Sequence, residues 1–67
     1  MKTLDATRER IQRELRERRH LAGLTIDELG RRAGVERSRI SRAERGYLKL
    51  EDGELARLEG ELRKEAP

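Results

Sequence analysis

Residues 24–46, LTIDELGRRAGVERSRISRAERG, constrain the fold more than any other part of the chain. Apolar residues recur in this segment at helical spacing on both sides of a central glycine, Gly34. These apolar residues are Leu24, Leu29, Ala33, Val35, Ile40 and Ala43. The pattern predicts two short amphipathic helices joined by a tight turn, because glycine readily adopts the positive φ angle that such a turn requires.

The second of these two helices carries a basic face. Between its apolar positions it presents Arg37, Ser38, Arg39, Arg42 and Arg45. Residues 31–49 contain seven basic residues and two acidic ones. A basic helix that a partner helix holds at an angle fits the major groove of DNA. The segment therefore predicts DNA binding, with simple solvation of the helix surface as the alternative explanation of the arginines.

The composition favours an all-α fold with a thin aliphatic core. The 67 residues include ten Leu, three Ile and one Val but no Phe or Trp, and Tyr47 is the only aromatic residue. The β-branched and aromatic runs that strands favour are missing. A chain this short allows one small domain, which we assign to residues 1–67.

Several classes of function have no support in the sequence. Without cysteine there is no disulfide or thiolate site, and we expect no metal and no cofactor. His20 has no nucleophile pattern near it and the carboxylates alternate with arginines, so we do not expect an enzyme. No apolar run approaches the ~20 residues of a membrane span. We therefore expect a cytoplasmic, nucleoid-associated protein without a membrane partner or a small-molecule ligand.

Charge is distributed unevenly along the chain. Residues 1–50 hold 14 basic and 8 acidic residues, a net charge of +6. Residues 51–67 hold 3 basic and 6 acidic residues, a net charge of −3. We interpret this asymmetry as a basic body that faces a polyanion and an acidic end that faces solvent.

The spacing of apolar residues and caps predicts four helices. The first runs from Asp5 to about Ala22, and Gly23 closes it in a left-handed conformation. The second follows Thr25, which has the spacing of a capping box with Glu28.

The third and fourth predicted helices begin in a similar way, with Glu36 and Glu51 as the expected N-caps. The third covers about residues 36–45, and we expect the fourth to fray beyond Leu62. Apolar residues flank each N-cap at the spacing of a hydrophobic staple. The three flanking pairs are Leu24 with Leu29, Val35 with Ile40, and Leu50 with Leu55.

In this order the segments resemble the Cro and lambda-repressor type of helix-turn-helix domain, common in small bacterial and phage transcriptional regulators. The match covers residues 11–62 and includes the GLT joint, the AGV turn and a third helix that ends in SRAERG. The resemblance implies a compact four-helix, lambda-repressor-like fold with a helix-turn-helix unit at about residues 25–45. It also implies a sequence-selective regulator of transcription, a repressor, that binds double-stranded DNA as a weak homodimer.

The resemblance assigns contact roles to individual residues. Arg37, Ser38 and Arg42 fall where the family contacts bases, and arginine can donate two hydrogen bonds to guanine. The positions that contact phosphates in the family are Thr25, Ile26, Arg39, Arg45 and Lys49. Ile26 stands where the family often has glutamine, so its contact is expected from the backbone N–H groups at the start of the second helix.

Two further pairs complete the expected site. The resemblance implies an ion pair between Arg19 and Glu44 that links the first helix to the end of the third, with two independent surface charges as the alternative. Tyr47 and Leu48 are not accounted for by the four-helix core. We place them at or near a weak dimer contact, with partial burial against the first helix as the alternative.

Two other classes of function remain open from the sequence. An antitoxin-like module that sequesters a partner protein would use the same fold, with DNA binding as a secondary property. A structural helical domain would use its arginines for solvation alone. Binding to short duplex DNA separates the leading hypothesis from both.

Overall fold

The computed structural model describes the backbone of residues 2–65 and the side chains of residues 8–65. The regular structure in this range is entirely helical, which confirms the all-α prediction. The five helices are α1 (Lys2–Arg13), α2 (Leu15–Leu21), α3 (Ile26–Ala33), α4 (Arg37–Glu44) and α5 (Asp52–Glu65). Both α1 and α3 pack against α4 and α5, and Leu15 of α2 is also fully buried in the core that these helices enclose. None of the helices in the described range is long and apolar enough to cross a membrane.

The first predicted helix is in fact two helices. It begins at Lys2 instead of Asp5, and it is interrupted at Glu14, where ψ is 0°. The Glu14 N–H donates to the Arg10 carbonyl at 3.0 Å and the Arg18 N–H donates to the Glu14 carbonyl at 2.9 Å. The helical hydrogen-bond pattern therefore continues on both sides of the interruption, and the prediction of four helices was wrong at this junction.

The predicted turn between the second and third sequence helices is confirmed between α3 and α4. Gly34 adopts the left-handed conformation with φ of 71°. The N–H groups of Gly34 and Val35 both donate to the Gly30 carbonyl, at 2.8 and 3.0 Å. These bonds satisfy the Gly30 carbonyl at the carboxyl-terminal end of α3, and α4 begins three residues after Gly34.

The N-caps agree largely with the sequence pattern. The capping box of α3 is confirmed, because Thr25 Oγ1 accepts from the Glu28 N–H at 3.0 Å and the Glu28 carboxylate accepts from the Thr25 N–H at 2.9 Å. Glu36 is the N-cap of α4, although its side chain makes no cap hydrogen bond. Glu51 precedes α5, and its N–H donates to the Glu54 carboxylate at 2.9 Å.

The core is aliphatic throughout. Its buried members are Leu15, Leu24, Leu29, Ala33, Val35, Ile40, Ala43, Leu50, Leu55, Leu58 and Leu62. All three predicted staple pairs belong to this cluster, and Ile11 and Ala22 pack against it. Full burial of a Leu, Ile or Val side chain contributes about 1.5–3 kcal/mol relative to exposure. These residues supply the main favourable contribution in a core without aromatic side chains.

The last helix extends beyond Leu62, where fraying was expected. It continues to Glu65, whose carboxylate accepts a hydrogen bond at 2.5 Å from Arg32 of α3. Cationic side chains in a last turn also interact favourably with the helix dipole. Two pairs within α5 add to this, Arg63 with Glu59 and Lys64 with Glu61. The prediction of fraying, which rested on the helix cost of Gly53 and Gly60, was wrong because it did not include these ion pairs of the last turn.

Gly30 is required where α3 approaches the turn. A Cβ at this position would lie 2.6 Å from the Val35 carbonyl oxygen, whereas a Cβ at Gly60 in α5 would have no described atom within 4 Å. We predict that Gly30→Ala destabilises the domain by ~1–3 kcal/mol, because the backbone must move. Gly60→Ala should stabilise it by up to ~1 kcal/mol, because alanine favours the helix. Thermal melts would contradict this if both variants shifted in the same direction.

Candidate nucleic-acid interface

The three residues predicted to contact bases lie on the exposed side of α4. Arg37, Ser38 and Arg42 are all exposed, whereas Ile40 and Ala43 are buried in the core. The apolar side of the helix therefore fixes its orientation and leaves the basic side in solvent. The structure brings the three residues together on one surface, and their contacts with bases stay a prediction.

Weak local contacts hold two of these residues in the free protein. Arg37 Nη1 lies 3.5 Å from Asp27 Oδ1 of α3, and these side chains are 70% and 59% exposed. An exposed pair of this kind contributes about 0–1 kcal/mol, so Arg37 can exchange it for another anion. The Ser38 hydroxyl donates to the Glu36 carboxylate at 3.3 Å. Glu36 therefore places one negative charge beside the basic surface.

Four of the predicted phosphate-contacting residues flank α4 on the surface. Thr25 and Ile26 lie at the start of α3, where the Thr25 hydroxyl accepts the capping hydrogen bond and the Ile26 side chain packs against the core. The capping box uses the Thr25 and Glu28 N–H groups, so the N–H groups of Ile26 and Asp27 and the proton of the Thr25 hydroxyl are the donors left at this first turn. Arg45 and Lys49 are exposed after α4 and have no ion-pair partner among the described side chains.

Arg39 is placed differently from the other predicted phosphate contacts. Its Nε and Nη2 donate to the two carboxylate oxygens of Glu54 in α5, at 2.6 and 2.8 Å. The bond from Arg39, together with that from the Glu51 N–H, lowers the pKa of Glu54 to about 2. The same contact raises the pKa of Arg39. Arg39 is thus held in an internal ion pair rather than presented to solvent as an open phosphate ligand.

Arg19 and Glu44 are in direct contact beneath the interface. Arg19 Nε and Nη2 donate to the two carboxylate oxygens of Glu44 at 2.8 and 3.0 Å, and Nη1 donates to the Leu24 carbonyl at 3.0 Å. The side chains of Arg19 and Glu44 are only 9% and 5% exposed. Side chains in this geometry are not independent surface charges. They join α2, the end of α4 and the residue that precedes the α3 cap.

Gln12 is a positioning residue that the sequence did not reveal. From α1, its side-chain amide donates to the Leu48 carbonyl and accepts from the Leu50 N–H at 3.0 Å. These bonds hold the segment between α4 and α5, which carries Lys49, against α1. A single glutamine in a charged helix gives no sequence signal for a contact more than 30 residues away.

The two residues assigned to a dimer contact have different environments. Leu48 is half-buried and packs against the core, as the alternative of partial burial describes. Tyr47 is 78% exposed, and Leu21 is 81% exposed. Tyr47 therefore remains available to a second molecule, and the dimer contact stays a prediction.

The acidic end of the chain pairs with the basic body instead of facing solvent alone. Carboxylates of α5 form ion pairs with one arginine from each of the other four helices. The pairs are Asp52 with Arg8, Glu54 with Arg39, Glu59 with Arg18, and Glu65 with Arg32. The contact with Arg18 lowers the pKa of Glu59. The interpretation of a solvated acidic end was wrong, because α5 folds back onto the arginines.

Two short helices at a glycine turn, the second with an exposed basic face, define a helix-turn-helix DNA-binding domain. The sequence model of the helix-turn-helix domain family matches residues 10–59, which are 50 of the 67 residues. The chain therefore belongs to this family, consistent with the resemblance to Cro and lambda-repressor domains. Searches among curated proteins and among solved structures found no match. Members of the family are DNA-binding units and are typically not enzymes.

We predict that Arg19→Ala and Glu44→Ala each lower the free energy of unfolding by ~3–5 kcal/mol, because each leaves a buried charge without its partner. The double variant should lose clearly less than the sum of the two. Arg37→Ala is the control, because its exposed pair with Asp27 contributes about 0–1 kcal/mol. Urea melts measure all four variants. Small, additive losses for Arg19 and Glu44 would show that the pair does not support the fold.

Proposed function

We propose that this chain is a sequence-selective transcriptional regulator of the repressor type that inserts α4 into the major groove of double-stranded DNA. The exposed face of α4, which presents Arg37, Ser38 and Arg42 above a buried apolar face, is the observation that carries the proposal. Residues 1–67 act as one domain, with the helix-turn-helix unit at about residues 25–45. The site requires no cofactor.

Sequence selectivity is assigned to the arginines of this face. The fork of an arginine side chain can donate two hydrogen bonds to O6 and N7 of guanine, a contact that distinguishes guanine from the other bases. Arg42 lies one turn beyond Ser38, so both reach the same stretch of groove. The weak, exposed contact of Arg37 with Asp27 is exchanged for a base on binding.

Affinity independent of sequence is assigned to the residues that border α4. Arg45 and Lys49 contact phosphates on one side of the groove, and the first-turn N–H groups of α3 at Ile26 contact a phosphate on the other. Because Arg39 is paired with Glu54, we do not include it among these contacts. The two cationic phosphate contacts, Arg45 and Lys49, give a slope of log K against log salt of about −2 per protomer, because only contacts made by Lys and Arg release counterions.

We also propose that two copies bind together on DNA as a weak homodimer. Helix-turn-helix dimers bind half-sites about 34 Å apart, one helical turn of DNA. Tyr47 supports this assignment, because it is an exposed aromatic side chain directly after α4 and the interface. A DNA-bound regulator of this kind would act in the bacterial cytoplasm at the nucleoid.

Two arginines of the interface should have different effects on binding. We predict that Arg42→Ala weakens binding to the preferred site, chosen from random duplexes, by ~1–3 kcal/mol more than binding to random DNA. Arg45→Ala should weaken binding to all sequences alike and make the salt slope shallower by about one unit. The physical reason is that one arginine faces bases and the other faces a phosphate.

Affinities for preferred and scrambled duplexes at two salt concentrations measure both effects. Arg63→Ala, which removes the same charge from an exposed position on α5, is the matched control. If Arg42→Ala and Arg45→Ala lose specific and non-specific binding in the same proportion, α4 does not read sequence. If wild-type protein binds no duplex, the proposed function is wrong.

A further inference from the structure

Arg39 lies at the edge of the DNA-facing side of α4. At about 100° per residue, it stands roughly 60° around the helix axis from exposed Arg42 and roughly 40° from buried Ala43. Its side chain is 34% exposed. A guanidinium at this edge, beside the exposed arginines, is placed to reach the wall of the groove if nothing else holds it.

The Glu54 carboxylate binds the guanidinium group of Arg39 in the same way as a phosphate group would. Both carboxylate oxygens accept from Arg39, at Nε and Nη2, which is the two-point contact that arginine also makes with phosphate oxygens. The carboxylate is itself fixed, because it accepts from the Glu51 N–H at 2.9 Å. Its side chain is only 14% exposed, so it is better shielded from solvent than Arg39.

We propose that Glu54 is an intramolecular competitor of DNA phosphate for Arg39 and thereby limits the sequence-independent affinity of the domain. The inference rests on the proposed function, since it concerns DNA bound at α4. A phosphate contact adds affinity for every sequence and releases a counterion. With Glu54 in place, Arg39 is neutralised within the protein and makes no such contribution.

Two other negatively charged side chains near Arg39 also offset its positive charge. Glu51, at the N-cap of α5, and Glu36, at the N-cap of α4, are the other carboxylates whose negative charge acts on Arg39. Glu54 is ionised at neutral pH, and the lowering of its pKa to about 2 keeps its carboxylate ionised in mild acid as well. Protonation of Glu54 therefore does not release Arg39 at ordinary pH. The contact is also shorter and less exposed than that of Arg37 with Asp27.

The test compares Glu54→Gln with Glu61→Gln in binding to a random-sequence duplex. Glu54→Gln keeps the shape of the side chain but removes the charge that neutralises Arg39. Its salt slope should become steeper by ~0.9, so the loss of affinity between 50 and 200 mM salt grows by a further ~3.5-fold. Glu61→Gln makes the same change in net charge, but Glu61 pairs with Lys64 within α5, so its slope should equal that of wild type.

Substitution of Arg39 tests the same competition from the other side. Arg39→Gln alone should leave the wild-type slope nearly unchanged, and it should restore that slope in the Glu54→Gln background. Arg39→Lys keeps the charge but replaces the two-point contact with a single, weaker one, so it should steepen the slope by less than Glu54→Gln does, and it provides a second test if Glu54→Gln proves unstable. Circular dichroism melts establish that each variant is folded at the assay temperature.

Equal slopes for Glu54→Gln and Glu61→Gln, or a double variant as steep as Glu54→Gln, would overturn the inference while leaving the proposed function intact. A wild-type protein that binds no duplex DNA would overturn both. A steeper slope that Arg39→Gln abolishes supports the competition, because a merely structural role for Glu54 would lower the melting temperature without changing the slope.

Discussion

The position of α4 depends on the buried ion pair between Arg19 and Glu44. It ties the carboxyl-terminal end of α4 to α2, and Arg19 also binds the carbonyl of Leu24 just before α3. Both charges are buried, so removal of either side chain leaves the other charge without a partner and lowers the free energy of unfolding strongly. The apolar residues of α4 determine which face is buried, and this ion pair fixes the end of the helix. The outward direction of the basic face follows from the two together.

The last helix neutralises four arginines of the other helices and leaves Arg42 and Arg45 of the DNA-facing surface without an ion-pair partner among the described side chains. Four carboxylates of α5 each hold an arginine from a different helix, so those arginines stabilise the fold and their charges are neutralised. A chain with a net charge of only +3 can thus present a basic surface at α4.

Features that depend on near neighbours could be predicted from the sequence. The capping box at Thr25, the left-handed turn at Gly34 and the leucine stripe of α5 each involve residues a few positions apart, and all three are present. The contacts of Gln12 and the pairing of Arg39 with Glu54 join distant segments. Because 46% of the residues are charged, many pairings are equally compatible with the sequence, and only packing selects among them. The basic face of α4 was predicted from the arginine pattern, and its contact roles were implied by the family resemblance, whereas the neutralisation of Arg39 required the structure.

Amide chemical shifts, followed by NMR during titration with a short duplex, test most directly whether the outward face of α4 is the DNA-binding surface. We expect the largest changes at the start of α3, along α4 and at Arg45, with little change at Glu61 and Lys64 of α5. The changes should all become weaker together when the titration is repeated at a higher salt concentration, since phosphate contacts supply the affinity. Shifts concentrated on α5, with the amides of α4 unaffected, would contradict the account.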